Sequence, residues 1–557
     1  MQIKDYIPAL SWIKDYNRDW FRSDLSAGMT VGIMVIPQAM AYAMIAGLPP
    51  IYGLYAAFMP LLIYAIFGTS RQMSLGPTAL IALLTGAGVG ALASQGTEEY
   101  LQLAILLAFM VGIIQLILGF FKMGFLVNFL SHPVVTGFTS AAAVIIFFSQ
   151  LKNLLGINLD RTHHIQHIIV DATERIADTN WISLFIGLGG IAIIVFSRKI
   201  NKKIPGPLIA VVLGILIVWL LGLDKMGVDI VREVPEGLPA IKFPVQNVSQ
   251  IGILLTTAIA IALVALMEST AIAKAIQVRH KDYELKSNTE FIAQGLGNTI
   301  GSFFQGFPVA GSFSRTAVND EAGAKTQVSN VITASIIGMT LIFLTPVYYF
   351  LPKAILAAVI MVSVVKLVNV SEAKYLWKTD KRDFIILMVT FLVTLFVGIN
   401  PGIITGIGLS LAMIIFSTTR PVIAELGRIP GTNTFRNIEN YKNLEIRDDI
   451  LVIRFESQLN FANSEVFKNS IIDIIAAKNG TVKMLLLNAE AISDLDSTAS
   501  HVIHDLYDEL KKEKIEFFVS GAVGKVREIM KRKGLTELIG EKQLFLSIDE
   551  GIKYFDR

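Results

Sequence analysis

The chain has 557 residues, 53% of them hydrophobic and only 17% charged, with a mean hydropathy of +0.59. Soluble domains carry about 25% charged residues, so this composition excludes a string of soluble domains and puts most of the chain in lipid. A formal net charge of +3 gives no hold on nucleic acid, and the absence of cysteine rules out disulfides and thiolate metal sites.

Residues 1–24 interleave charges with aromatics, as in "KDYIPALSWIKDYNRDWFRSD". This is not the basic-then-apolar layout of a cleavable signal peptide. It is expected to be a cytoplasmic lead-in lying on the membrane surface. A spanning helix needs about 20 mainly apolar residues. Clear runs follow at 25–46, 51–67, 102–121, 135–150, 182–197, 206–223, 251–277, 328–350, 353–369, 383–398 and 400–418, with a weaker one at 285–303. Two more, 77–92 and 313–322, are apolar but short. The total is about fourteen, an even number, so both chain ends should lie on one side. Lysine and arginine gather on that side. Lys122, then Arg198, Lys199, Lys202 and Lys203, then Arg279, Lys281 and Lys286, then Lys374, Lys378, Lys381 and Arg382 all fall in loops of the same parity. An opposite loop reads "SQGTEEY".

Two longer loops, near 152–180 and 223–249, lie on the far side. The first holds "HHIQH" at 163–167, read as an exposed loop because no carboxylate or cysteine completes a metal site. After Pro421 apolar runs shorten and charges return. Strands at 448–457, 481–490 and 515–522 alternate with helices at 464–479, 497–514 and 523–534, which predicts an α/β domain over 440–557.

The two short segments carry the functional argument. "PVAGSFSRTAVND" places Gly311 before Ser312, either Ser312 or Ser314 can cap a helix, and Gly323 can end it. "RQMSLGPTALIALLTG" places Gly76 and Pro77 ahead of another short helix, with Pro77 suited to its first turn. Paired, Gly/Pro-interrupted segments in corresponding positions of two halves, here about 25–223 and 250–418, point to a transporter site. Two facing helix N-termini make an anion site, and Arg315 adds a full positive charge. Glu268 sits inside "LLTTAIAIALVALMESTAIAKAI". A charge at the bilayer centre costs roughly 2.5–3.5 kcal/mol; pairing with Arg315, protonation or cation coordination would offset it.

"PQAMAYAMIAGLPPIYGLYAAFMP" (37–60), "SLGPTALIALLTG" (74–86) and "GSFSRTAVNDEAGAKTQVSN" (311–330) closely resemble the sulfate permease (SulP) family, and "DLDSTAS" (494–500) resembles its STAS domain. The resemblance implies an α-helical polytopic membrane protein of seven plus seven inverted segments, divided into core and gate domains, with a cytoplasmic STAS domain and a homodimeric assembly. It implies that Gln38 hydrogen-bonds the anion and Tyr42 lines its pocket. It also implies that the amides of Thr78 and Ala79 face the ligand, and that Ser314 and Arg315 complete the site. Pro37 suggests a locally opened helix beside Gln38. Glu268 falls at the family's acidic position. Ile272, one turn on, offers no oxygen to Na⁺, and the segment looks like plant-type proton–sulfate symporters. Ser497 matches a serine that is phosphorylated in related domains, although it also reads as a helix cap.

The expectation is therefore an elevator-type symporter of sulfate with a proton, in the cell membrane and without a cofactor. A bicarbonate or dicarboxylate carrier, with sodium as a possible coupling ion, and an uncoupled anion channel are the alternatives. With no nucleophile–base pair and no phosphate loop, an enzyme is not expected.

Overall fold

A computed structural model describes residues 7–124, 131–157, 165–200, 205–245, 249–280 and 282–557. His163 and His164 of the histidine loop lie outside the described residues, and His167 lies in a short helix, Ile165–Glu174. The chain divides into two compact units, Met1–Ser410 and Leu411–Arg557.

The first unit is helical. In chain order its spans are α1 (Arg18–Ile45), α2 (Ile51–Phe67), α3 (Ala79–Gly90), α4 (Glu98–Phe120), α5 (His132–Ser149), α6 (Trp181–Ile200) and α7 (Gly206–Leu221). The second set is α8 (Ser249–Gln277), α9 (Ser287–Phe303), α10 (Phe313–Glu321), α11 (Val328–Met339), α12 (Lys353–Val364), α13 (Lys381–Phe396) and α14 (Ile399–Thr419), the last running into the second unit. Among the described residues seven helical stretches are long and apolar enough to cross a membrane, and four shorter apolar helices accompany them. The protein is a multi-pass α-helical membrane protein.

Helix α1 begins at Arg18, inside what reads as a surface lead-in, because the Asn17 side chain caps it by accepting from the amides of Asp19 and Trp20. Pro37 does not open this helix, which runs unbroken through it. Beyond α11 the same span continues as a π-turn, Thr340–Leu344, and a 3₁₀ stretch, Thr345–Phe350, where Pro346 withholds an amide from the ladder.

Contacts sort the spans into two bundles. Helix α9 packs on α2 and α4, α11 on α1 and α2, and α8 on α4; separately, α13 packs on α5, and α6 on α7 and α12. Alanine lines the first bundle, with Ala39, Ala43, Ala56 and Ala57 fully buried, so that backbones approach closely.

Two buried carboxylates tie the halves together. Glu290 of α9 accepts from the Tyr64 hydroxyl (2.8 Å), the Thr69 amide (2.6 Å) and hydroxyl (2.5 Å), and the Ser70 amide (3.1 Å). Asp24 of α1 accepts from the amides of Lys325 (2.7 Å) and Thr326 (3.0 Å) and from the Thr326 hydroxyl (2.5 Å). Each carboxylate anchors the loop beside a short helix of the other half. Glu290→Ala should leave several buried donors without an acceptor, at about 1–3 kcal/mol each. A melting curve of the purified protein in detergent is expected to move down by many degrees, and an unchanged curve would refute the anchoring role.

The second unit is an α/β domain with a six-stranded sheet. Its strands are β3 (Ile423–Arg428), β4 (Phe435–Asn437), β5 (Ile450–Phe455), β6 (Met484–Asn488), β7 (Glu516–Ser520) and β8 (Leu544–Phe545), in the order β4-β3-β5-β6-β7-β8. The three central strands are those the sequence predicts; β3 and β4 add an antiparallel edge ahead of residue 440. Alternation separates the two faces. Ile453, Leu485 and Phe517 point to one core with Phe467 and Leu506, whereas Val452, Leu486 and Phe518 point to another with Ile548 and Ile552. Asp549 ties the last helix, Ile548–Phe555, to Arg428 of β3 at 2.6 Å and also pairs with Lys553 one turn along the same helix at 2.6 Å. The hydrogen bond from Lys553, aided by the Arg428 charge, holds the Asp549 carboxyl below the usual carboxylate range.

Candidate anion site

The site is built where two short helices start. Ahead of α3 lies a two-residue strand, β1 (Leu75–Gly76), and ahead of α10 lies β2 (Ala310–Gly311). The strands pair antiparallel, Leu75 with Gly311 and Gly76 with Ala310. Since each strand feeds its helix, the helices leave the crossing in opposite directions with their N-termini at it. They have 12 and 9 residues, about 18 and 14 Å at 1.5 Å per residue, or roughly half of a 30 Å hydrocarbon layer each.

The caps differ from expectation in one respect. Thr78 caps α3, accepting from the Ile81 amide at 3.4 Å, so Pro77 stands just outside the helix and not in its first turn. Ser312 caps α10, accepting from the Arg315 amide at 3.5 Å, and Gly323 closes the loop after it with φ +92°. Ser314 is exposed, with its hydroxyl 3.4 Å from that of Ser312. The amides of Ala79, Leu80, Phe313 and Ser314 precede the first helical hydrogen bond of their helices, so the crossing carries the positive end of both dipoles.

Arg315 is fully buried, and its guanidinium crosses between the halves. Nη1 donates to the Pro77 carbonyl at 2.7 Å, while Nε and Nη2 have no hydrogen-bond acceptor among the described residues. Room for it comes from Gly76, where a Cβ would stand 3.0 Å from Nη2. Gly76→Val should therefore press on the guanidinium and lower anion uptake at least ten-fold, with the melting temperature as the check that the fold survives. Wild-type uptake in that variant would exclude the guanidinium from the transport site.

Gln38 and Tyr42 of α1 are buried, and the Gln38 Oε1 has no donor among the described residues. Glu268 of α8 is half-buried, and its Oε2 has no hydrogen-bond partner among the described residues. Glu268 and Tyr42 both lie within electrostatic reach of Arg315, yet no ion pair joins Glu268 to Arg315 among the described residues. Thus Tyr42 and Glu268 lie within electrostatic reach of Arg315, whose bond to Pro77 brings it to the start of the Thr78–Ala79 segment, while Gln38 stands one turn before Tyr42 on α1 and Ser314 next to Arg315 on α10. Ser497 belongs to the second unit. It is the exposed first residue of a helix, Ser497–Lys512, and the cap is Asp496, which accepts from the Ala499 amide at 2.8 Å.

Several supporting residues escape sequence inspection. The Ser269 hydroxyl accepts from the Gly311 amide at 2.8 Å, directly holding β2. Asn298 bonds both the amide (2.8 Å) and the carbonyl (3.1 Å) of Val309. Asn319 and Asn330 bind the carbonyls of Gln72 and Met73, at 2.9 and 2.7 Å. A lone amide or hydroxyl in an apolar helix leaves no pattern; only Asn298, in "GLGNTIGSF", stands out as polar amid small residues. Among the described residues no group of three or more His, Asp or Glu side chains could hold a metal ion. What remains is a positive, hydrogen-bond-donating crossing with one carboxylate within electrostatic reach, which suits a small oxyanion.

Comparison with known proteins agrees in extent. Residues 21–390 match the model of the sulfate permease family, and 441–551 match the STAS domain. The chain is 38% identical to sulfate transporter 4.1, chloroplastic, of Arabidopsis thaliana, over 99% of this chain and 83% of that protein. It is 34% identical to high affinity sulfate transporter 2 of Stylosanthes hamata, over 98% and 85%. The structure of murine solute carrier 26 family member A9, an anion transporter in the inward-facing state, superposes with a TM-score of 0.93 at 28% identity, covering 99% of this chain and 94% of that one.

Proposed function

The chain belongs to the sulfate permease family, and from that premise we propose that it carries sulfate across the cell membrane together with a proton. The observation that carries the reading is the hydrogen bond from Arg315, at the start of one short helix, to Pro77, ahead of the other. It puts a full charge and two helix dipoles at one point, where a doubly charged tetrahedral anion gains most. The names of the plant relatives support sulfate as the substrate.

In this reading the anion sits between the two N-termini. Gln38, Arg315 and the amides of α3 and α10 contact its oxygens, and Tyr42 walls the pocket. Glu268, next to but not paired with Arg315, takes up the coupling proton. The bundle holding the crossing then moves as a body against the bundle of α5, α6, α7, α12 and α13, exposing the anion alternately to each side. Both termini would lie in the cytoplasm and two copies would form the working dimer.

Uptake of radiolabelled sulfate into proteoliposomes, with a pH gradient or a Na⁺ gradient imposed one at a time, tests the proposal. Saturable uptake driven by an inward proton gradient is expected, competed by unlabelled sulfate. Drive by sodium alone, or competition only by bicarbonate or dicarboxylates, would replace it with the alternative carrier. Currents indifferent to pH would replace it with a channel.

A further inference from the structure

A second feature lies outside the anion site. Between α12 and α13 a ten-residue helix, Val370–Thr379, has Leu376 as its one buried residue. Val370, Tyr375 and Trp377 are each more than half exposed, which aqueous solvent penalises and a membrane interface does not. Val370, Lys374, Trp377 and Lys378 recur at the i, i+4, i+7, i+8 spacing that puts them on one face.

That face and the first turn of α13 form a groove of about 440 Å³ lined by Val370, Lys374, Tyr375, Trp377, Lys378 and Phe384. Trp377 and Phe384 build its wall as an edge-to-face pair with centroids 4.9 Å apart. The lining holds two cations and no acid. Among the described residues neither Lys374 nor Lys378 has a salt-bridge partner. The nearby acids are turned to other tasks. Glu372 pairs with His132 at 3.5 Å, Asp380 caps α13 by accepting from the amides of Arg382 and Asp383, and Asp383 lies within electrostatic reach of His132.

We propose that the helix Val370–Thr379 and the start of α13 form a docking surface for an anionic phospholipid, its phosphate held by Lys374 and Lys378 and its chains laid against Trp377 and Phe384. Two ammonium groups bordering an aromatic wall match an amphiphile and not a free ion. Phosphate alone gains nothing from the rings, whereas a lipid at the headgroup level meets both parts.

The test uses the full chain in phosphatidylcholine nanodiscs, titrated with phosphatidylglycerol, with retained lipid read by native mass spectrometry and stability by melting temperature. Wild type is expected to retain phosphatidylglycerol and melt several degrees higher. K374Q/K378Q is expected to bind it about thirty-fold more weakly, the loss of two lysines near a charged surface, while melting like wild type in phosphatidylcholine alone. If that double variant melts lower in phosphatidylcholine, the single variants K374Q and K378Q are read in its place. Retention by the lysine variants equal to wild type would overturn the proposal, as would an equal shift with added phosphatidylcholine or with glycerol 3-phosphate in place of the lipid.

Discussion

Replacing Arg315 with alanine is expected to weaken sulfate binding about a hundred-fold, the equivalent of ~3 kcal/mol and the upper range for one charge-assisted hydrogen bond. Two things leave with the side chain. One is the charge between the two helix starts. The other is the bond to the Pro77 carbonyl, which ties the two halves at the crossing. Arg315→Lys separates them. An ammonium keeps the charge but lacks the planar fork, so it can serve Pro77 or the anion and not both in the same geometry. An affinity between those of wild type and the alanine variant is expected. Equilibrium binding of labelled sulfate to purified protein measures this directly, and melting curves report whether the crossing still forms. Alanine and wild type binding alike would remove Arg315 from the site.

Exchange of Glu268 for glutamine is expected to keep binding within a few-fold and to lower accumulation driven by a proton gradient by at least ten-fold. The amide is nearly isosteric, so the pocket keeps its shape. It cannot gain or lose a proton in the working range, so the gradient loses its handle. The structure favours a clean separation of these effects, because Glu268 and Arg315 are close but form no ion pair. Neutralising the carboxylate therefore leaves no guanidinium hydrogen bond broken. Binding, counterflow exchange at equal pH and gradient-driven uptake, measured on one preparation, distinguish the outcomes. Exchange that persists while accumulation disappears is the expected pattern; intact accumulation would take the proton elsewhere.

The span pattern was legible because lipid leaves a coarse signal. Runs near twenty apolar residues recur, and the two that fall short, 77–92 and 313–322, correspond to Ala79–Gly90 and Phe313–Glu321. Gly76 and Gly311 marked where these interrupted helices begin, and Arg315 was conspicuous as a charge among apolar neighbours. The pairing of Leu75 with Gly311 was not legible, since two residues are too few to reveal a period of 2. The anchoring roles of Asp24 and Glu290 were not legible, because their partners are backbone amides and hydroxyls, which leave no spacing pattern in the sequence. In the α/β unit β5, β6 and β7 announced themselves as apolar runs. The strand β3, "IAELGR", which pairs with β5 on one side and β4 on the other, carries charges on two of six positions and did not. Pro37 misled in the other direction, since α1 continues as helix through it.

The pairing of β1 with β2 also bears on how the protein is made. The Arg315–Pro77 bond joins positions 238 residues apart in the chain. Until α10 leaves the ribosome, Leu75 and Gly76 have no strand to pair with, and bare peptide groups are not tolerated in a bilayer. The third span must therefore wait, shielded by the insertion machinery or short of its final depth, while seven more are synthesised. The crossing therefore closes in one late step rather than span by span, and a chain stopping before residue 310 would carry α1 to α9 but no strand for β1 to pair with.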